Sequence, residues 1–211
     1  MRARRSRYYP VMLERLVRRD FDRAFFRRYY HDASTAVVHL GEAQRRVRFV
    51  LAYLDFLGVE VKSVLDAGCG VGLWRRALRR IDRSIAYTGI DTSEYLCRRY
   101  GWTRASITEF RSRRKFDLVV CQDMLQYLDG DELRLAVDRV ARLCRGACYV
   151  EVPTREDFAE RTLDLVRTDR RIHLRGVRFY RRLLAEHFIA AGGGIFLPRN
   201  ARTTILALER G

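Results

Sequence analysis

The run Val64-Leu65-Asp66-Ala67-Gly68-Cys69-Gly70-Val71-Gly72-Leu73-Trp74 constrains this chain more than any other stretch. An apolar segment ends in an acid, glycines then fall at every second position, and a helical pattern begins at Leu73. The pattern reads as a buried strand, a tight turn and a helix start. Such a unit belongs at the carboxyl end of a parallel sheet, where open α/β sheets bind their ligands. Glycine lets the backbone approach a ligand where a Cβ would collide. An acid at the strand end accepts hydrogen bonds from polar or cationic groups. A nucleoside-bearing ligand suits the arrangement, and several nucleotide-binding classes share it.

The rest of the chain is patterned to match. Helices are expected from Val11 to Tyr30 and from Glu42 to Leu57, the second with a stripe of Val47, Val50, Leu51, Leu54 and Leu57 closed by Gly58. Beyond them the period changes. Strands are expected at Val61–Leu65, Ser84–Ile90, Thr103–Ile107, Phe116–Cys121 and Ala147–Val152. Helices should separate them at Leu73–Ile81, Ser93–Tyr100 and Asp131–Cys144. That alternation predicts a parallel sheet covered on both faces. Further helices are expected at Thr154–Val166 and Arg178–Ala191, with a polar loop from Arg167 to Gly176 between them. Ile195–Leu197 and Thr203–Leu208 read as a closing hairpin joined by Pro198–Arg202. Residues 1–58 form an N-terminal helical segment covering the site, and residues 59–211 form the ligand-binding domain, the two making one compact unit.

The chain has 211 residues and a formal net charge of +16. That charge makes an anionic partner worth weighing. All but two of its 42 basic residues, Lys62 and Lys115, are arginine. They are spread over every expected helix, whereas a nucleic-acid footprint concentrates on one face. A compositional bias therefore weighs at least as heavily as a binding surface. No uninterrupted apolar run of about 18 residues implies a membrane span. The basic start lacks the apolar core of a secretory signal. The five cysteines include no CxxC pair and fall largely in expected strands, which suits core residues of a cytoplasmic protein. None of the four histidines has metal-ligand spacing, and no metal site is expected.

Asp91 ends the second strand 25 residues beyond Asp66, where a carboxylate can accept from both hydroxyls of a ribose. A nicotinamide dinucleotide is one candidate ligand. It expects GxGxxG and a pyrophosphate at the helix start, and Asp66 would set a negative charge beside that pyrophosphate. The same acid suits the amino group of a methionyl moiety.

Three segments carry a family resemblance: VLDAGCGVG at 64–72, YTGID at 87–91 and FDLVVCQDMLQYL at 116–128, followed by a helix and ACYVEVPT at 147–154. In this order they resemble the class I methyltransferases that use S-adenosylmethionine, over about residues 45–209. The resemblance implies a three-layer Rossmann-like fold with N-terminal helices. Its seven-stranded, mostly parallel sheet would run in the order 3-2-1-4-5-7-6 with an antiparallel last strand. It implies that Asp66, Gly68, Cys69 and Gly70 hold the methionine part of S-adenosylmethionine, with S-adenosylhomocysteine as product. Asp91 and Thr92 would hold the ribose, and Ser106 and Ile107 would meet the adenine. Relatives often carry an aspartate where Ser106 stands. Cys121 and Gln122 would lie beneath the cofactor.

Methyl transfer requires an aligned acceptor and often removal of its proton. Tyr127, just past the fourth strand, and Glu151, near the end of the fifth, are candidates for that work. Tyr127 has a packing alternative and Glu151 an arginine-pairing one. His173, in an expected lid loop, and His31, on the N-terminal layer, are candidate bases. Asp123 belongs to the expected pocket wall, and Trp74 either caps the pocket or packs against the N-terminal helices. The chain lacks the Asn/Asp-Pro-Pro-Tyr and Pro-Cys signatures of base-modifying enzymes, which favours a small-molecule acceptor. An RNA or protein acceptor, or a non-catalytic cofactor-binding protein, is the alternative. A monomer or homodimer is expected.

Overall fold

The computed structural model describes residues 21–31, 40–160, 168, 169, 171–201, 203 and 205, without the side chain of residue 31. A short helix α1 (Arg23–Phe26) begins at Asp22, whose carboxylate accepts from the Phe25 amide, and runs into a π-helical turn over Arg27–His31. Helix α2 (Leu40–Phe56) follows, and the residue after its last turn region, Gly58, has φ of 73°. Strands and helices then alternate: β1 (Ser63–Ala67), α3 (Leu73–Ile81), β2 (Ala86–Asp91), α4 (Glu94–Tyr100), β3 (Thr103–Arg104), β4 (Phe116–Gln122), α5 (Gly130–Leu143) and β5 (Cys144–Glu151). Helices α6 (Arg155–Ala159) and α7 (Val177–Ala185) precede a hairpin of β6 (Phe188–Gly192) and β7 (Ile195–Pro198).

The seven strands form one sheet in the order β3-β2-β1-β4-β5-β7-β6. β1 to β5 pair in parallel, while β7 runs antiparallel to both β5 and β6. The expected topology is present. Strand alternation splits the core into two halves. Leu65, Val119, Cys121, Cys148 and Val150 face α5 and α7, among Leu133, Val137, Val140, Leu183 and Leu184. Val64, Leu118, Val120, Ala147 and Tyr149 face α2 and α3, among Val47, Val50, Leu54, Trp74 and Leu78. β4 is buried on both faces at six of its seven residues, as its near-continuous apolar run predicts. All five cysteines are free and buried.

The last third differs from the sequence expectation. The helix expected to reach Ala191 stops at Ala185, and Phe188–Gly192 is a strand. Gly192, Gly193 and Gly194 all have positive φ, and together they make a hairpin turn that pairs Ile189 with Leu197 and Ala190 with Phe196. The glycines therefore reverse a strand rather than stop a helix. Apolar residues of a buried strand are not distinguishable from a helix end by periodicity alone. Residues 11–20 of the expected first helix, and residues 204 and 206–208 of the expected last strand, lie outside the described residues. β3 is confined to Thr103–Arg104. Helix α6 begins after Thr154, where the sequence places its start, and ends at Ala159 with Glu160 as its cap, short of the expected Val166. Among the described residues no helix is long and apolar enough to cross a membrane.

Candidate functional site

The carboxyl ends of the parallel strands carry the acids. Asp66 is the fourth residue of β1, Asp91 the last of β2, and Glu151 the last of β5. Gln122 ends β4 opposite Glu151, and Asp123 follows it. Parallel register brings these ends to one edge of the sheet, so the clustering is a consequence of topology.

The glycine turn is built for close approach. Gly68 has φ of 71°, and a Cβ there would lie 2.8 Å from Met124 Cβ. Gly72 has φ of 74°, and its Cβ would lie 2.7 Å from the Trp102 ring. Trp102 Nε1 donates to the Gly70 carbonyl at 2.9 Å. The indole thus props the turn from below, and Arg75 sits over its ring at 5.1 Å. No motif in the sequence marks Trp102; its role comes from β3 lying beside β2. The Gly70 amide donates to Asp91 Oδ2 at 2.9 Å and the Ser93 amide to Asp91 Oδ1 at 2.8 Å. These bonds fix the carboxylate and leave each oxygen a further acceptor position.

A cleft of about 640 Å³, partly open to solvent, lies over this turn. Its floor is Gly68, Gly70, Asp91, Thr92, Ala105, Ser106 and Ile107. Its roof is Phe21, Phe25, Phe26 and Tyr30 from the N-terminal layer, with Asp123, Met124, Tyr127 and Leu128 at one end. The Phe21 and Tyr127 rings meet edge to face at 5.0 Å, and Ser93 Oγ donates to the Phe21 carbonyl at 2.6 Å. These contacts tie the roof to the rim.

Six of the ten residues expected at the cofactor line the cleft: Gly68, Gly70, Asp91, Thr92, Ser106 and Ile107. The other four are set back from it. Asp66 is 3% exposed and accepts from the Tyr87 hydroxyl at 2.5 Å. Burial raises its carboxyl to about 7, against the lowering effect of the Tyr87 hydrogen bond. The Cys69 Sγ lies against Gly89, 2.9 Å from where a Cβ would stand there. Cys121 is buried in the core beneath the sheet. Gln122 turns toward α3, where its Oε1 accepts from Trp74 Nε1 at 2.7 Å. Trp74 accordingly packs against α2 and Tyr149 rather than capping the cleft.

Of the four catalytic candidates, Tyr127 lines the cleft. Glu151 is held by Arg46, with Arg46 Nε at 2.9 Å and its terminal nitrogen at 3.0 Å, and accepts a hydrogen bond from the Tyr149 hydroxyl. His173 lies on the loop before α7, its amide bonded to the Gln126 carbonyl at 2.8 Å, and is not among the lining residues. Burial and then Arg175 lower its pKa. The side chain of His31 is outside the described residues. Asp123 has the only positive φ, 52°, of any non-glycine residue described. That conformation costs about 1–3 kcal/mol and is sustained only where surrounding structure imposes it. Burial and then Glu151 raise the Asp123 carboxyl to about 7, while Arg46 and the Gln122 amide pull it down.

Residues 39–192 match the family model described as "Methyltransferase domain". The chain belongs to the methyltransferase domain family. Solved structures agree on the fold. The N-methyltransferase NodS from Bradyrhizobium japonicum WM9, in complex with S-adenosyl-L-homocysteine, superposes with a TM-score of 0.56 at 18% identity, over 84% of this chain and 98% of that one. The plantazolicin methyltransferase BpumL, in complex with a monoazolic desmethylPZN analog and S-adenosylhomocysteine, gives 0.61 at 15% identity, over 75% and 66%. An S-adenosylmethionine-dependent methyltransferase from Clostridium acetobutylicum ATCC 824 gives 0.51 at 19% identity, and the match covers 65% of this chain and 60% of that protein. A search of the curated proteins finds no match.

Methyltransferases of this Rossmann-like class take the methyl group from S-adenosylmethionine, and the residues present fit it. Gly68 and Gly70 present bare backbone to the cleft, and Asp91 has acceptor positions to spare. The cleft walls carry Asp91 and Asp123 and, among the described residues, no arginine or lysine. A sulfonium and an ammonium are favoured there, and a dinucleotide pyrophosphate is not.

Proposed function

We propose that the protein is an S-adenosylmethionine-dependent methyltransferase acting on a small molecule in a cytoplasmic setting. The observation that carries the small-molecule reading is the aromatic roof. Phe21, Phe25, Phe26 and Tyr30 cover the glycine turn, so the acceptor site is a walled cleft rather than an open track.

In this reading Asp91 holds the ribose hydroxyls, and Thr92 lies beside it. Ser106 and Ile107 meet the adenine. Ser106 Oγ already pairs with Thr108 Oγ1 at 2.8 Å, so Ile107 supplies mainly apolar contact. Gly68 and Gly70 let backbone reach the methionine portion, with Asp66 and Tyr87 behind them. When bound, the cofactor supplies an electrophilic methyl group on a sulfonium. The chain aligns the acceptor against it, and the aromatic roof excludes water. Tyr127 forms part of the acceptor wall. The Glu151–Arg46 pair supports it from behind by fixing β5 to α2.

Titration calorimetry with S-adenosylhomocysteine and with NAD tests the cofactor. Binding of the first and no response to the second is expected. Tight NAD binding without a response to S-adenosylhomocysteine would overturn the reading.

A further inference from the structure

The charge of the cleft runs against the charge of the chain. The protein carries 42 basic residues against 26 acidic ones. The cleft wall nevertheless presents two carboxylates and five aromatic rings, those of Phe21, Phe25, Phe26, Tyr30 and Tyr127. Tyr30 is half-buried and lines the cleft, and desolvation first, then Tyr127, Asp123, Asp91 and Asp66, keeps its phenol from ionising. Asp123 and Asp91 thus share the cleft with that hydroxyl, while Asp66 acts from behind the glycine turn.

Resting on the methyltransferase reading, we propose that the acceptor is an amine that enters as an ammonium, and that Asp123 is the catalytic residue that binds it and takes its proton. Aromatic faces attract a cation through their quadrupoles, most strongly where water is excluded. Asp123, on the cleft wall beside Tyr127, supplies the counter-charge. Its left-handed backbone turns the chain sharply after β4, with its amide tied to the Glu151 carbonyl at 2.8 Å. Gln122 is locked by Trp74, so that its Nε2 faces Asp123 Oδ2 at 3.3 Å. The groups bearing on Asp123 are Glu151, Arg46 and Glu42 from β5 and α2, Gln122 beside it and Tyr30 above. Burial first, then Glu151, raises its carboxyl to about 7 against Arg46 and Gln122, and a general base of that strength works best near neutral pH.

The step balances simply. Asp123 accepts one N–H proton of the ammonium, freeing the nitrogen lone pair. That pair forms the C–N bond to the methyl carbon as the S–C bond breaks, and the S–C electrons remain on sulfur. The proton passes from Asp123 to solvent.

The experiment has two stages. Calorimetry with S-adenosylhomocysteine comes first, and failure to bind overturns the methyltransferase reading itself. The saturated protein is then titrated with phenethylamine, N-methylphenethylamine, phenethyl alcohol and phenylacetate. Both amines should bind at least about tenfold tighter than the alcohol or the carboxylate. Asp123→Asn tolerates the left-handed backbone and should lose that preference while holding S-adenosylhomocysteine within about twofold. Intact cofactor binding with no amine preference in the wild type, or with the preference kept in Asp123→Asn, would overturn the assignment of acceptor and base.

Discussion

At the scale of single residues, the site depends on two kinds of substitution-sensitive position. Asp91 is anchored by the Gly70 and Ser93 amides and faces the cleft. Asp91→Ala removes a charge-assisted contact of about 1.5–3 kcal/mol. Calorimetry should therefore show S-adenosylhomocysteine binding weakened by about 10- to 100-fold. Gly68→Ala forces a left-handed alanine at about 1–2 kcal/mol and drives its Cβ to 2.8 Å from Met124 Cβ. Denaturant unfolding should register that cost, and binding should fall with it. The acids also carry a pH signature. Asp66 and Asp123 titrate near 7 in the folded protein against 3.8 ordinarily. The folded state then holds protons that the unfolded chain has released. Their contribution to stability accordingly declines as pH rises from about 4 through about 7 and is flat beyond. The ammonium of a bound methionyl moiety favours the ionised form of Asp66, behind the glycine turn. Binding of S-adenosylhomocysteine near neutral pH should release protons, visible as a dependence of the calorimetric heat on buffer ionisation enthalpy.

Among the elements, β1, β4 and β5 are fastened at the end remote from the cleft by Asp117. Its carboxylate accepts from the Lys62 and Ser63 amides at 3.1 and 2.9 Å, from Ser63 Oγ at 2.7 Å and from Arg145 Nε at 2.6 Å. Burial opposes ionisation, but the bonds from Arg145, Ser63 and Lys62 outweigh it and hold the carboxyl below its usual range. Its stabilisation is present above the ordinary carboxylate pKa and is lost as pH falls through the lowered one. Asp117→Ala leaves several donors unpaired and should cost about 1–3 kcal/mol in urea unfolding at pH 7, with S-adenosylhomocysteine affinity unchanged. The N-terminal layer is the other separable element. Deleting residues 1–38 removes the Phe21–Tyr30 roof and keeps α2, whose Val47, Val50 and Leu54 are fully buried. The sheet should stay folded by circular dichroism while cofactor binding weakens. Elements with strong periodicity were legible from sequence: α3, the body of α5, and the strand-end acids Asp66 and Asp91. The hairpin at 188–198 was not, because its pairing partner for β7 is specified by a three-glycine turn and not by a local period. The Trp102 prop and the Asp117 clamp were also hidden, since each joins segments 32 to 55 residues apart. Glu151 was visible as an acid at a strand end, but its Arg46 partner comes from α2, 105 residues away.

For the molecule as a whole, the charge of +16 and the acidic cleft point to different partners. Arginines on the helices attract polyanions without sequence preference, and such binding should fade steeply with added salt. Methyl transfer in a cleft walled by aromatic rings and carboxylates should not need it. Adding heparin at low salt should compete for the surface and leave transfer to a small acceptor unaffected. The most direct measurement uses donor carrying a tritiated methyl group, incubated with the protein and a fractionated cell extract, then separated into metabolite, RNA and protein pools. Label in the metabolite pool, lost in Asp91→Ala, is the expected result. Label confined to RNA or protein would contradict the account, as would no transfer by a protein that binds S-adenosylhomocysteine.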